Sequence, residues 1–206
     1  MWKQLLFLLL LNITRAFSAS PCNGRFLLVL DQSVTWNGFS STEFNDQKEL
    51  VKNLLSPPYF DHFERLALGG YEQSAYLTNF GDCEDQSDVA DFLNQTKQEQ
   101  YASCLVCALN DIKNHRYFFN KMTIVIFVSF IDEYDVRDAR ELAKQLQDQG
   151  ARLVLIGHGK FTNEDWISID RLSRITGDPS AVFKWDDGKS LPADDYHQWF
   201  KQVLDC

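Results

Sequence analysis

Two cysteines three positions apart carry the most reactive chemistry in this sequence. Cys104-Leu-Val-Cys107 has the Cys-x-x-Cys spacing of thiol-disulfide oxidoreductases. That activity needs the first thiol exposed and acidified at the start of a helix. Here we expect the motif to lie inside a helix, beside Leu105 and Ala108. A secreted thiol-disulfide oxidoreductase that uses Cys104 and Cys107 is therefore the alternative interpretation.

Other catalytic patterns are missing from the sequence. The Gly-x-Ser-x-Gly turn of many hydrolases does not occur. Four histidines are scattered along the chain, and His158, which follows an apolar run, is expected to be solvated. The sequence has no nucleophile, base and orienting group at the spacing of a known catalytic motif. We therefore predict that the protein is not an enzyme.

The odd number of cysteines, five, allows two disulfides at most. Cys22 precedes the first apolar run and Cys206 is the last residue, so we predict a disulfide between the two ends of the domain. Cys83 is predicted to pair with either Cys104 or Cys107, which leaves one thiol free. The secretory context favours disulfides over a zinc site.

The first 20 residues predict a secretory signal peptide. Lys3 precedes an apolar run at 5–11, and mainly small and polar residues follow it up to Ser20. The run is shorter than the roughly 20 apolar residues that cross a bilayer. Residues 21–206 are expected to form one secreted, extracellular domain without a membrane span, and Asn94 in Asn-Gln-Thr is a predicted glycosylation site.

The charge balance excludes one class of partner. The sequence has 29 acidic and 20 basic residues and a formal net charge of −9. A protein that binds nucleic acid needs a basic surface to neutralise phosphates. We therefore expect no nucleic acid among the partners, and the charge does not identify which other partner is bound.

Continuous apolar runs predict a parallel sheet. The runs at 26–30, 124–128 and 153–156 read as strands that are buried on both faces. Between the last two, apolar residues recur at helical spacing over 135–149, and Gly150 ends that helix. Together with further strands and helices, this βαβ unit predicts an α/β fold. Its central sheet is mostly parallel, with helices on both faces.

Four segments in the correct order resemble the von Willebrand factor A domain family. They are the first strand with its Asp31-Gln-Ser33-Val-Thr35 continuation, the second strand at 65–71, the strand, helix and strand at 124–159, and the segment at 177–184. The resemblance covers the whole domain. It implies a doubly wound α/β fold with a ligand site at the carboxyl ends of the strands. It also implies a function in cell adhesion or protein binding, with an extracellular protein or glycoprotein as the partner.

The resemblance also implies a divalent cation, such as Mg²⁺, in a metal-ion-dependent adhesion site. Its ligands here would be Asp31, Ser33 and Thr35, which offer one charge and two hydroxyls, all hard oxygen donors. In the family, an acidic group on the partner can complete the shell of ligands around the metal.

Two further ligands of that site depart from the family pattern, so the site is degenerate. The loop at 96–101 has no glycine and no threonine at the place of the family's threonine, and Ser129 follows the strand where the family has an aspartate. Asp132 or Glu133 would have to replace that aspartate. We therefore predict a binding module without a functional cation, in which the loop after Asp31 is tied by local hydrogen bonds.

Overall fold

The computed structural model describes residues 24–34, 41–57, 59–115, 121–158, 168–185 and 198–202. The predicted signal peptide, Cys22, Thr35 and Cys206 lie outside the described residues, so the disulfide between the chain ends stays a prediction. None of the helices in the described ranges has the length and hydropathy needed to cross a membrane.

Six strands form a single sheet in the order β3-β2-β1-β4-β5-β6. Every neighbouring pair is parallel except β2 and β3, which are antiparallel. This confirms the predicted mostly parallel, doubly wound architecture. The strands are β1 Arg25–Asp31, β2 Leu66–Tyr71, β3 Ala75–Leu77, β4 Met122–Val128, β5 Ala151–His158 and β6 Val182–Trp185.

Helices connect the strands, and four of them begin at capping residues that the structure describes. Asp85 caps the second helix by accepting from the backbone N–H groups of Ser87 and Asp88. The third helix begins at Leu105, so Cys104 occupies its N-cap position instead of lying inside it. The helices are α1 Ser41–Leu54, α2 Gln86–Gln95, α3 Leu105–Asn114, α4 Glu133–Asp148 and α5 Ile169–Thr176, and residues 198–202 are also helical.

Two apolar layers, one on each face of the sheet, form the core. Successive residues of β1 alternate between them, with Leu27 in one layer and Leu28 in the other. Helices α3, α4 and α5 cover the first face, while α1, α2 and the helical residues 198–202 cover the second. This explains why the strands are continuously apolar, because each buried aliphatic side chain contributes roughly 1.5–3 kcal/mol on whichever face it lies.

The cysteines correct one prediction. Cys104 forms a disulfide with Cys107, whereas Cys83 is free and buried. Cys83 packs in the apolar layer of α1 and α2, and Leu105, which follows Cys104, packs in the layer on the opposite face of the sheet. The predicted pairing of Cys83 with Cys104 or Cys107 is therefore wrong, because the sheet lies between the two segments.

Candidate functional site

The carboxyl ends of the central strands bring polar side chains together. Asp31 ends β1 and is paired in the sheet register with Tyr71, the last residue of β2. Ser129 follows directly after β4, the neighbour of β1 on its other side. Because parallel strands end at the same edge of a sheet, residues from three chain segments meet at one place.

Asp31 is the centre of this group and is fully buried, with 0% of its surface exposed. Its Oδ1 accepts hydrogen bonds from the backbone N–H (3.0 Å) and the hydroxyl (2.6 Å) of Ser33. Its Oδ2 accepts from the backbone N–H of Ser129 (2.9 Å) and from the hydroxyls of Ser129 (2.5 Å), Ser103 (2.8 Å) and Tyr71 (3.1 Å). We call Asp31, Ser33, Tyr71, Ser103 and Ser129 the Asp31 cluster.

The hydrogen bonds of the Asp31 cluster explain how a carboxylate can be buried. Removing a charge from water is costly unless the protein supplies donors, and hydrogen bonds to an ionised group are about twice as strong as neutral ones. Burial, followed by the negative charge of Asp31, raises the pKa of Tyr71 well above its usual value. The phenol therefore keeps its proton, which it can donate to the carbonyl of Phe127 (2.8 Å) or to the carboxylate of Asp31 (3.1 Å).

The side chain of Gln47 fixes the backbone of Asp31 from the other direction. Its Oε1 accepts from the N–H of Asp31 (3.2 Å), and its Nε2 donates to the carbonyl of Asp31 (3.3 Å). Gln47 lies on α1 and is fully buried. At the end of β5, a ring nitrogen of His158 lies 2.9 Å from the carbonyl of Glu43, also on α1. His158 is 2% exposed, so the expectation that it is solvated was wrong.

The metal ligands predicted from the sequence do not all lie in the Asp31 cluster. Asp31 and Ser33 lie in the cluster, and Thr35 is outside the described residues. Asp132 caps α4, where its Oδ1 accepts from the N–H of Asp135 (2.8 Å). Glu133 forms ion pairs with Arg171 and Arg174 of α5. Both replacement carboxylates thus have structural roles at the start of α4.

Three members of the Asp31 cluster were not found from the sequence. Ser103 supplies a hydroxyl from the loop before α3, two residues beyond the segment in which the family's threonine was sought. Ser129 stands in the place of an aspartate but donates to Asp31 instead of adding a second charge. Tyr71 ends an apolar strand and reads as a core residue. A prediction that α3 begins at Leu105 would have placed Ser103 in the loop before the helix, and so among the candidates for the family's threonine.

This donor set does not fit a tightly bound divalent cation. Such an ion takes six or more oxygen ligands for Ca²⁺, or a near-ideal octahedron for Mg²⁺, usually with carboxylates among them. The Asp31 cluster has one carboxylate, and both of its oxygens already accept at least two hydrogen bonds. Within the described ranges, no three His, Cys, Asp or Glu side chains are grouped as a metal site.

Exposed apolar side chains surround the same end of the sheet. The described part of the chain has five exposed large apolar residues. Four of them lie at this edge of the sheet, either just after a strand or near the start of a helix. Tyr134 and Ile169 lie in the first turns of α4 and α5, and the N–H of Val34 donates to the carbonyl of Tyr101 (3.0 Å). We call Val34, Tyr101, Tyr134 and Ile169 the apical surface.

Comparison with known proteins finds similarity in structure alone. No family model matches the sequence, and no curated protein matches it. Proximal thread matrix protein 1 from the mussel byssus matches with a TM-score of 0.66 at 13% identity, over 89% of this chain and 46% of that one. This chain therefore spans less than half the length of the mussel protein. A second structure of the mussel protein, with a TM-score of 0.64, has zinc in its metal-ion-dependent adhesion site (MIDAS) motif.

Two further matches come from other organisms. A manganese-loaded TRAP protein from Plasmodium vivax has a TM-score of 0.61 at 15% identity, over 90% of this chain and 75% of that one. A von Willebrand factor type A protein from Catenulispora acidiphila has a TM-score of 0.63 at 12% identity, over 88% of this chain and 42% of that one. The described chain has the fold of a von Willebrand factor A domain.

Proposed function

We propose that this chain is a secreted, non-catalytic adhesion module that binds an extracellular protein or glycoprotein through the apical surface without a divalent cation. The observation that carries the proposal is the position of Val34, Tyr101, Tyr134 and Ile169, which are 39%, 54%, 86% and 47% exposed at one edge of the sheet. Doubly wound sheets bind their ligands at this edge, and tyrosine is enriched among residues that dominate protein interfaces.

The charges beside the apical surface favour a partner with basic side chains. Burial, followed by repulsion from Glu99, raises the pKa of Glu72, which directly follows β2. On the α4 side, burial and the neighbouring Asp132 and Asp138 raise the pKa of Asp135. Crowded carboxylates of this kind are relieved by a cationic partner, so complex formation should weaken as salt increases.

Asn94 is compatible with this orientation. It is exposed near the end of α2, while Thr96 is buried and donates from its hydroxyl to the carbonyl of Phe92 (2.7 Å). Helix α2 lies on the face of the sheet opposite α3 and α4. A glycan on Asn94 would therefore occupy the side away from Tyr134, and glycosylation is proposed together with secretion.

The test is a binding screen of the full chain against an array of extracellular proteins, in Mg²⁺ and in EDTA. We expect a partner that binds equally in both and is lost when Tyr101→Ala and Tyr134→Ala are combined. Tyr59→Ala is the matched control, because its neighbour Phe60 packs against Phe26 at the opposite end of β1. A partner that needs Mg²⁺, or that binds the double variant normally, would contradict the proposal.

A further inference from the structure

The Cys104–Cys107 disulfide lies in an unusual place for a purely structural bond. Cys104 is the N-cap of α3, and its Sγ accepts from the backbone N–H of Cys107 (3.2 Å). Both cysteines are partly exposed, and the bond closes a loop with a sequence separation of only 3. So short a loop restricts the unfolded chain little, and the bond is within reach of solvent thiols.

We propose that Cys104 and Cys107 form a reversible redox modification site for low-molecular-weight thiols of the glutathione class, and that reduction loosens the loop at 97–103. This inference does not depend on the proposed binding function. It also differs from an oxidoreductase activity, because the thiol changes the state of this chain and no second protein is turned over.

The exchange follows ordinary thiol–disulfide chemistry. A small thiolate attacks Sγ of Cys107, its sulfur bonds to Cys107, and Cys104 leaves as a thiolate. A second small thiolate attacks the sulfur of the attached thiol, which releases Cys107 and one molecule of small-molecule disulfide. The two protons of the small thiols end on Cys104 and Cys107, so two electrons pass from the small thiols to the protein.

The position of Cys104 makes it the better leaving group. The N-terminus of a helix carries a partial positive charge that stabilises a thiolate and lowers its pKa. Cys83 does not compete, because it is buried, and burial together with Asp88 and Asp82 raises its pKa to about 11. In the described part of the chain, thiol exchange is therefore directed to Cys104 and Cys107.

The loop before the disulfide connects it to the Asp31 cluster. The N–H of Cys104 donates to the carbonyl of Glu72 (2.9 Å), and the adjacent Ser103 donates to Asp31 (2.8 Å). Earlier in the loop, Glu99 donates from its N–H to the carbonyl of Gln32 (2.7 Å). The disulfide thus stabilises the anchored C-terminal end of a loop that carries Tyr101 of the apical surface.

The experiment places the full chain in glutathione buffers of graded oxidised-to-reduced ratio, traps free thiols, and maps them by peptide mass. Hydrogen exchange is followed in the same samples. We expect Cys104 and Cys107 to become reduced while β4 and β5 stay protected, and amides at 97–104 to exchange several-fold faster. Reduction that occurs only when the whole domain exchanges would overturn the proposal, as would reduction without faster exchange at 97–104.

Single variants test the assigned leaving group. In Cys107→Ser the remaining Cys104 thiol stays at the N-cap, and in Cys104→Ser a serine, itself a favoured N-cap, leaves Cys107 alone. We expect iodoacetamide to alkylate Cys104 at lower pH than Cys107. Equal pH profiles would contradict the role of the helix N-terminus. Cys104→Ser with Cys107→Ser is the control, in which added glutathione should leave exchange at 97–104 unchanged.

Discussion

The interior of the sheet and its carboxyl end are equally buried, but different forces hold them together. Leu28 and Val125 in the interior are 0% exposed and pack in one apolar layer, while Asp31 and Ser33 at the edge are also 0% exposed and depend on hydrogen bonds. Apolar contacts are non-directional and tolerate exchange of similar side chains. A buried carboxylate has no such tolerance, because buried donors that depend on it are left unsatisfied when it is removed.

The largest expected effect is that of Asp31→Ala, which removes the acceptor of the Ser33, Ser103 and Ser129 donors and leaves Tyr71 only the carbonyl of Phe127. We expect a loss of about 3 kcal/mol in the free energy of unfolding, since several buried donors lose their partner together. Leu28→Ala should cost a similar amount, about 3 kcal/mol, through the cavity that it leaves. Urea unfolding measures both values.

Hydrogen exchange distinguishes the two variants. Asp31→Ala should increase exchange at the carboxyl ends of β1, β2 and β4, whereas Leu28→Ala should affect the strand interiors. Asp31→Asn is the conservative control and should cost less, because its amide keeps one acceptor oxygen. A loss below about 1 kcal/mol for Asp31→Ala, the value of one ordinary hydrogen bond, would show that the cluster contributes little.

The same comparison explains what the sequence could predict. The apolar runs at 124–128 and 153–156 correspond to β4 and β5, because a strand covered on both faces needs apolar residues at every position. The helix between them was also correctly predicted from its spacing. These patterns are local, so they can be read without knowing the neighbouring segments.

The Asp31 cluster could be predicted only in part because its hydrogen bonds connect distant segments. Ser103 and Ser129 are 72 and 98 positions from Asp31, and neither has a local pattern that marks it as its partner. The disulfide failed for a related reason. The pairing of Cys83 was predicted from the number of cysteines alone. The sheet separates Cys83 from Cys104, and this becomes visible only when each helix is assigned to a face of the sheet.

The next effect in size concerns the disulfide at the edge of the cluster. Replacing both Cys104 and Cys107 with Ser should lower the free energy of unfolding by at most about 2 kcal/mol, the entropic value for so short a loop. The serine at position 104 can retain the cap of α3, which limits the loss further. Thermal unfolding of the double variant under oxidising conditions measures this, and a loss as large as that of Asp31→Ala would contradict it.

Tyr134→Ala should change stability by no more than about 0.5 kcal/mol, because the side chain is 86% exposed. If the apical surface binds a partner, the same substitution should weaken binding at least tenfold, about 1.4 kcal/mol, as expected of an interface tyrosine. Chemical denaturation and surface plasmon resonance separate the two effects. A variant that is destabilised, or that binds normally, would remove Tyr134 from the proposed interface.

The smallest expected effect is that of divalent cations, which should not change the melting temperature of the wild type. A ligand that binds only the folded state stabilises it in proportion to the logarithm of its concentration over its dissociation constant, so even weak binding is detectable at high concentration. The Asp31 carboxylate already accepts five hydrogen bonds and shares a sixth donor, the hydroxyl of Tyr71, with the carbonyl of Phe127. It has no second carboxylate beside it in the cluster. Calorimetric titration with Mg²⁺ and Mn²⁺, repeated on Asp31→Ala, decides the matter. Sub-millimolar binding by the wild type that disappears in the variant would mean that the hydroxyls of Ser33 and Ser103 turn from the carboxylate toward a cation. In that case the polar end of the sheet would be a metal site after all.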